Sequence, residues 1–327
     1  MRSKAELEAA IRGAGRAVLM VNVRSRRGRR LYDTARALLD EAGLEFAEVH
    51  PVGEPDRLGE LFEKVLARDP DLVVVGGGDG TIAEAVGHLA HRDIALGVLP
   101  LGTTNNFARS LELPLDLAGA VRELRDGKVA DVDVGWFEGT PAGGAHAADP
   151  DGEPGTRHIF ANMVSLGLSV NVAEQVPHEL KRVIGRAAYA VTAARLLPRH
   201  EAFKATIRIG DETYEMATHQ LNVANGAHHS GTRIARDASP DDRLLAVYRL
   251  GDHRRLRLAS ATARHVLTGP RRTLAEEEFL TTDQVHITTD PPLSVDVDGE
   301  IRGRTPISVR LLGNALRVIV PQGFVDT

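Results

Sequence analysis

Three short stretches hold side chains able to do chemistry at glycine-rich turns: GGGDGT at 76–81, PLGTTNN at 100–106 and DVDGE at 296–300. In the first, Asp79 stands among Gly77, Gly78 and Gly80, directly after the apolar run LVVV, with Thr81 following. Glycines at a strand-to-helix turn let backbone N–H groups approach phosphate. A carboxylate in that cradle repels bare phosphate. The repulsion is relieved if the ligand brings a cation, because Mg²⁺ bridges carboxylate and phosphate oxygens. Asp79 is therefore a candidate metal ligand and the turn a candidate nucleotide site.

Other readings of the turn are available. Asp79 and Gly80 suit a tight turn, and Thr81 with Glu84 has the T-x-x-E spacing of a capping box. Gly78, Gly80 and Ala83 match a dinucleotide fingerprint, but this turn follows the third strand of the pattern, not the first. No G-x-x-x-x-G-K-[ST] occurs, so a P-loop lysine is absent. The second stretch favours polyphosphate. It repeats the device after the next strand, with Gly102, Thr103, Thr104, Asn105 and Asn106 leading into a helix. Two adjacent turns of this kind make a surface of backbone N–H donors. DVDGE by itself reads as an acidic hairpin turn.

The surrounding elements must place these turns side by side. Residues 17–23 predict a buried strand, followed by a basic loop, RSRRGRR. Helices are predicted over 31–42, 57–68 and 81–90, with another opening at 107–111; strands are predicted over 44–49, 72–75 and 94–99. Strands alternating with helices give a parallel sheet covered on both faces. Beyond residue 133 the texture changes. Residues 138–157 are rich in Gly, Pro, Ala and Asp and predict a flexible loop. Strand-like segments follow (157–165, 204–210, 212–225, 243–250, 284–289, 293–299 and 315–321), with helices only near 174–197 and 254–268. The expected fold class is thus α/β plus β. A Rossmann-like domain covers 1–133, to which 314–327 is a candidate to return, and an antiparallel β-sandwich covers 134–313.

Composition limits the function. The chain has 327 residues, 43% of them hydrophobic, enough for two domains with cores of their own. A net charge of −5 does not suit wholesale nucleic-acid binding. Without cysteine there is neither a disulfide nor a thiolate metal site, which fits a reducing cytoplasm. No apolar run reaches the roughly 18–20 residues of a membrane span.

GGGDGT, PLGTTNNFAR and DVDGE in this order, with FANMVSLGLS at 160–169 and VANGAHHSG at 223–231, resemble the diacylglycerol kinase and sphingosine kinase superfamily in its bacterial lipid-kinase branch. GGDGT alone is shared with NAD kinases and phosphofructokinases; the three motifs together are more specific. The resemblance implies phosphorylation of a lipid hydroxyl by ATP with Mg²⁺, the nucleotide lying between the two domains. It implies that Asn22, Ser25 and Gly28 lie near the nucleotide, and that Gly77, Gly78, Gly80, Thr81, Gly102, Thr103, Asn105 and Asn106 form its pocket. Asp133 would join Asp79 in the magnesium network. Asp298 would be the general base, and Glu300 would position nucleotide or metal.

Some positions depart from the family pattern. Asn106 stands where many relatives have aspartate, Ala83 where asparagine is common, and Val23 where proline is usual. Arg243 replaces the glycine of an Asp-Gly turn that carries a structural magnesium in some relatives, though Asp242 could still supply one ligand. Asp79, Asp298 and Glu300 remain, so an active enzyme is the expectation. A kinase of a soluble acceptor and an inactive nucleotide-binding regulator are the rivals.

Peripheral contact with the inner face of a membrane is suggested by the arginines of RSRRGRR and by the basic amphipathic stretch 180–200, with Lys181, Arg182, Arg186, Arg195 and Arg199. Each is also readable as an ordinary solvated or packed surface. His228 and His229 lack partners at metal-ligand spacing. An exposed sandwich strand pairing across a two-fold would make a homodimer, but the sequence does not show which strand is an edge.

Overall fold

The structure, a computed structural model, describes residues 1–13, 16–24, 26–54, 57–141, 156–175, 200–225, 228–229, 232–233, 241–250 and 277–326. The first part alternates as the apolar periodicity requires. Helix α1 (Lys4–Gly13) precedes β1 (Ala17–Asn22), α2 (Arg26–Glu41), β2 (Glu48–Val52), α3 (Leu58–Leu66) and β3 (Leu72–Gly77). Then come α4 (Asp79–Leu89), β4 (Ala95–Pro100), α5 (Asn106–Ser110) and α6 (Leu117–Asp126). Strands β4, β3, β1 and β2 lie side by side in that order, all parallel. Strands β3 and β4 are buried along their whole length, as expected of strands covered on both faces.

Each face of this sheet has its own core. Phe62, Ile82, Val86 and Phe107 pack one side from α3, α4 and α5. Leu7, Ala35, Leu39, Val121 and Leu124 pack the other from α1, α2 and α6. Full burial of such a side chain contributes about 1.5–3 kcal/mol, which holds the short helices on the sheet.

The second part is antiparallel. Its elements are β5 (Lys128–Thr140), β6 (Thr156–Phe160), β7 (Met163–Gly167), α7 (Leu168–Gln175), β8 (Phe203–Ile209), β9 (Glu212–Thr218) and β10 (Gln220–Ala224). After them come β11 (His228–His229), β12 (Thr232–Arg233), β13 (Leu245–Leu250), β14 (Glu277–Thr282), β15 (Gln284–Asp290), β16 (Ser294–Val297) and β17 (Glu300–Val320). One layer runs β14-β13-β10-β7-β16-β17; the other joins β6, β5, β17, β15, β8 and β9. Val164, Leu166, Leu221 and Val247 of the first layer pack on Phe137, Phe160, Ile207 and Val309 of the second. The whole is the mixed fold expected, a parallel sheet continued into an antiparallel β-sandwich.

Strand β17 makes the continuation possible. It pairs with β16 at its start and with β5 over most of its length. At its end it runs parallel to β4, with Arg317 opposite Ala95. Register shifts at Arg304/Ile307 and Leu312/Leu316 bend it between the two parts.

Several sequence expectations are corrected. The basic loop after β1 is instead the first turn of α2, which begins at Arg26, five residues before the apolar periodicity starts. Only an apolar stripe shows in a sequence pattern, and the opening turns of this helix carry none. The loop bounds 138–157 were too wide: Glu138, Gly139 and Thr140 end β5, and Thr156 and Arg157 open β6. Strand β2 begins four residues later than expected. Helix α6 was not foreseen; Asp116 caps it, accepting from the Gly119 N–H at 2.8 Å. Ser25, residues 176–197 of the helix read over 174–197, the helical reading over 254–268, and the His228 and His229 side chains lie outside the described residues.

Candidate active site

Strands β3 and β4 are neighbours in register from Leu72↔Ala95 to Gly77↔Pro100, so both glycine turns leave the same edge of the sheet. They touch through backbone: a Cβ on Gly102 would lie 2.6 Å from Gly78 Cα, a contact no side chain tolerates. The Leu101 N–H donates to the Gly77 carbonyl at 2.9 Å and fastens one turn to the other.

Helix α4 starts at Asp79, two residues earlier than the sequence suggested, with Gly78 as its N-cap and no side-chain cap. Thr81 is therefore inside the first turn, and the capping-box reading fails. Thr81 Oγ1 instead accepts from Asn22 Nδ2 at 3.1 Å, tying the end of β1 to the turn. The first amides of α4 have no partner within the helix and no capping side chain, the arrangement that binds anions.

Asp79 links the two turns. One carboxylate oxygen accepts from the Thr104 hydroxyl, the other from the Asn106 N–H at 2.5 Å. Arg109 Nε holds the Thr104 carbonyl at 2.8 Å. Thr104 and Arg109 belong to the second motif, but their contacts with Asp79 and with each other could not be read from it. Asn105 is buried, with φ +50, and its side chain spans its own turn, accepting from the Gly102 N–H at 2.9 Å and donating to the Gly102 carbonyl at 3.1 Å. It shapes the pocket from behind. Thr103 is exposed at the rim, and Gly28 is buried within α2. A depression of about 350 Å³ opens at the end of β2, beside Asn22, lined by His50, Gly53, Arg57, Leu61 and Lys64 among others.

Asp298 stands at the tip of the β16–β17 hairpin. Asp298 and Gly299 both have positive φ, +51 and +98, the two-residue turn that Asp-Gly favours. The hairpin reading of DVDGE was thus right about geometry, and that geometry decides where the carboxylate goes. Asp298 Oδ2 accepts from the Ala161 N–H at 2.6 Å; Oδ1 accepts from the N–H groups of Asn162 at 2.9 Å and Met163 at 3.0 Å. Burial pushes its carboxyl above the usual aspartate value, against the pull of these amides. The Asn162 side chain adds a further hydrogen bond to this carboxylate.

Glu300 is exposed and pairs with Arg302 at 2.5 Å. Helix α4 packs against β6 and β17, which brings its Glu84 into the electrostatic neighbourhood of Arg302 and His158. The phosphate turn and the Asp298 hairpin thus lie on neighbouring elements of the two parts.

Asp133 is fully buried on β5. Its two oxygens accept from the N–H groups of Asn314 and Arg243, each at 2.8 Å, and burial raises its carboxyl above the usual value. Arg243 has φ +59, a left-handed conformation that glycine adopts more readily. Among the described residues, no group of three or more His, Asp or Glu is placed to hold a metal ion. Asp79 and Asp133 therefore form no preassembled metal cage. Asp79 fits a magnesium ion that arrives with phosphate, because such ions need only one or two protein carboxylates. Asp133 likewise accepts from two donors, but it is fully buried on β5.

Residues 16–137 match the diacylglycerol kinase catalytic domain, and residues 162–320 match the YegS C-terminal NAD kinase β-sandwich-like domain. The chain thus carries a diacylglycerol kinase catalytic domain and a sandwich domain of the YegS type. Similar proteins include one of Staphylococcus carnosus provisionally named a lipid kinase, 27% identical over 76% of each chain. Another, of Staphylococcus aureus strain N315, carries the same provisional name and is 28% identical over 80% of each chain. Two solved structures from Bacillus anthracis, described as diacylglycerol kinases (one provisionally), share the fold. Their TM-scores are 0.71 and 0.70 at 22% and 24% identity, over 95% of this chain and 97% and 98% of theirs. The catalytic-domain match precedes the sandwich match along the chain. Among the described residues no helix is long and apolar enough to cross a membrane.

Proposed function

We propose that this protein transfers the γ-phosphoryl group of ATP, with Mg²⁺, to a hydroxyl of a lipid such as diacylglycerol. The observation that carries the proposal is Asp298, its carboxylate held by the three backbone amides of residues 161–163, on an element packed beside the phosphate turn.

In this reading the first amides of α4 and the Gly78–Gly102 contact receive the phosphate chain, and the depression beside Asn22 receives the nucleoside. Magnesium bound with the nucleotide would be held by Asp79 and would neutralise charge on the transferring group. Asp298 accepts the proton of the lipid hydroxyl at a carboxylate oxygen. Its amide contacts fix the direction in which its oxygens point, so attack is in line without reorganisation. Glu300, through Arg302, sets the charge beside the acceptor.

The test is label transfer from γ-labelled ATP into chloroform-extractable material, using a total lipid extract and Mg²⁺. Organic-phase label from the wild type, lost in Asp298→Asn and Asp79→Ala, supports the reading, and mass analysis then names the acceptor. Label confined to the aqueous phase would replace the lipid with a soluble acceptor. ATP binding with no transfer at all would sink the kinase reading.

A further inference from the structure

We propose that Asn225, which follows β10, is a positioning residue for the Asp298 base, acting through the peptide groups between them. The proposal rests on the role given to Asp298 above.

The side chain of Asn225 is 1% exposed. Its Nδ2 donates to the Asp133 carbonyl at 2.9 Å and to the Ala161 carbonyl at 3.3 Å, and its backbone N–H donates to the Asn162 carbonyl at 2.8 Å. The same two peptide groups hold Asp298 from their other ends. In the 161–162 peptide, the carbonyl is held by Asn225 and the N–H by Asp298; in the 162–163 peptide the division is the same. A peptide group is planar and its C=O and N–H point in opposite directions. Fixing the carbonyl therefore fixes the line along which the amide meets the carboxylate. A hydrogen bond at the carbonyl also polarises the N–H and strengthens it as a donor.

The orientation of the Asn225 amide is decided by its neighbours. Turned over, its oxygen would face two carbonyl oxygens, which is repulsive. As it stands, Oδ1 is buried and has no hydrogen-bond partner. A buried acceptor without a donor opposes folding. An asparagine held there at that cost is explained by what its NH₂ group does, namely grip the 161–162 peptide and β5 together.

The test uses Asn225→Asp, which keeps the shape and loses the NH₂ donors, and Asn225→Ala, both in the full chain. Two readouts are taken. In lipid phosphorylation, kcat is expected to fall on the order of 10- to 100-fold, the penalty of a misdirected group, with KM for ATP within about twofold of wild type. In amide NMR, the Asn162 N–H is expected to shift upfield and exchange faster, and the Met163 N–H to change less, because the backbone contact of Asn225 survives. A kcat within twofold of wild type, or an Asn162 N–H that does not move, overturns the proposal. If neither variant folds, the wild type still decides: an Asn162 amide that exchanges as fast as an exposed loop amide refutes it. Should Asp298→Asn keep full activity while the Asn162 amide responds to Asn225→Asp, the peptide coupling stands and the base assignment fails.

Discussion

The Asp79 carboxylate accepts the backbone N–H of Asn106 at 2.5 Å, so the residue that makes the first glycine turn unusual also fastens the second turn to it. Thr104 completes the clasp on the other oxygen, and Arg109 holds Thr104 by its carbonyl. Asp79 therefore has a structural duty besides any role toward a cation. Replacing Thr104 by Val removes a hydrogen bond to a charged group, worth roughly 1.5–3 kcal/mol. Thr104→Val is expected to raise KM for ATP about tenfold, and Thr104→Ser to restore it. Initial-rate kinetics at varied ATP checks this; identical KM values in all three proteins would remove the clasp from nucleotide binding.

Asp298→Asn separates chemistry from turn geometry. Asparagine tolerates the positive φ of this position and keeps an oxygen for the amides, but it cannot take a proton. Phosphorylation of lipid is expected to fall on the order of 10²–10⁴-fold. ATP affinity, measured by calorimetry, is expected to stay unchanged. A variant with more than a tenth of wild-type turnover would remove Asp298 from the base role.

Far from the site, the termini are joined to the sheet by ion pairs. Asp71, 1% exposed at the start of β3, is held by Arg2 at 2.5 Å and Arg16 at 2.8 Å. Arg317 of β17 contacts Asp93, Asp131 and the Arg2 carbonyl. Arg2→Met or Arg16→Met alone leaves Asp71 one guanidinium and should cost about 1 kcal/mol. The double variant leaves a buried carboxylate unpaired and should cost on the order of 3–5 kcal/mol, more than the sum. Urea unfolding of the four proteins gives the coupling; simple additivity would contradict it.

Stability should also depend on pH through two histidines. Burial pushes both His158 and His200 below the ordinary histidine value, aided at His158 by Arg302 and opposed at His200 by the carbonyl of His219. The folded state then binds these protons less readily than the unfolded state, so stability is lost as pH falls below about 6.5. Tm is expected to drop between pH 8 and 5.5, and His200→Phe to make that drop shallower. A Tm profile with the same slope in wild type and variant would show that His200 takes no part.

The sequence by itself determined the alternation of apolar strands and helices, the two glycine turns and the hairpin at Asp298-Gly299. All of these depend on local rules: period, turn chemistry and backbone freedom act over a few neighbouring residues. It could also place the turns side by side, since consecutive parallel strands tend to be neighbours. Only the tertiary structure decided what the polar groups touch. Asp79 finds its partners 25 and 27 residues away, Asn225 reaches Ala161 across 64, and Asp298 is held by amides 135 to 137 residues earlier. Asp133, which the resemblance suggested for the metal network, accepts from the amides of Asn314 and Arg243, 181 and 110 residues away. Strand β17 could not be seen as one element, because its bends arise from pairing with four other strands. A buried polar group must take whichever partner the packing brings to it, and that choice is made by strands that meet only after the chain has folded.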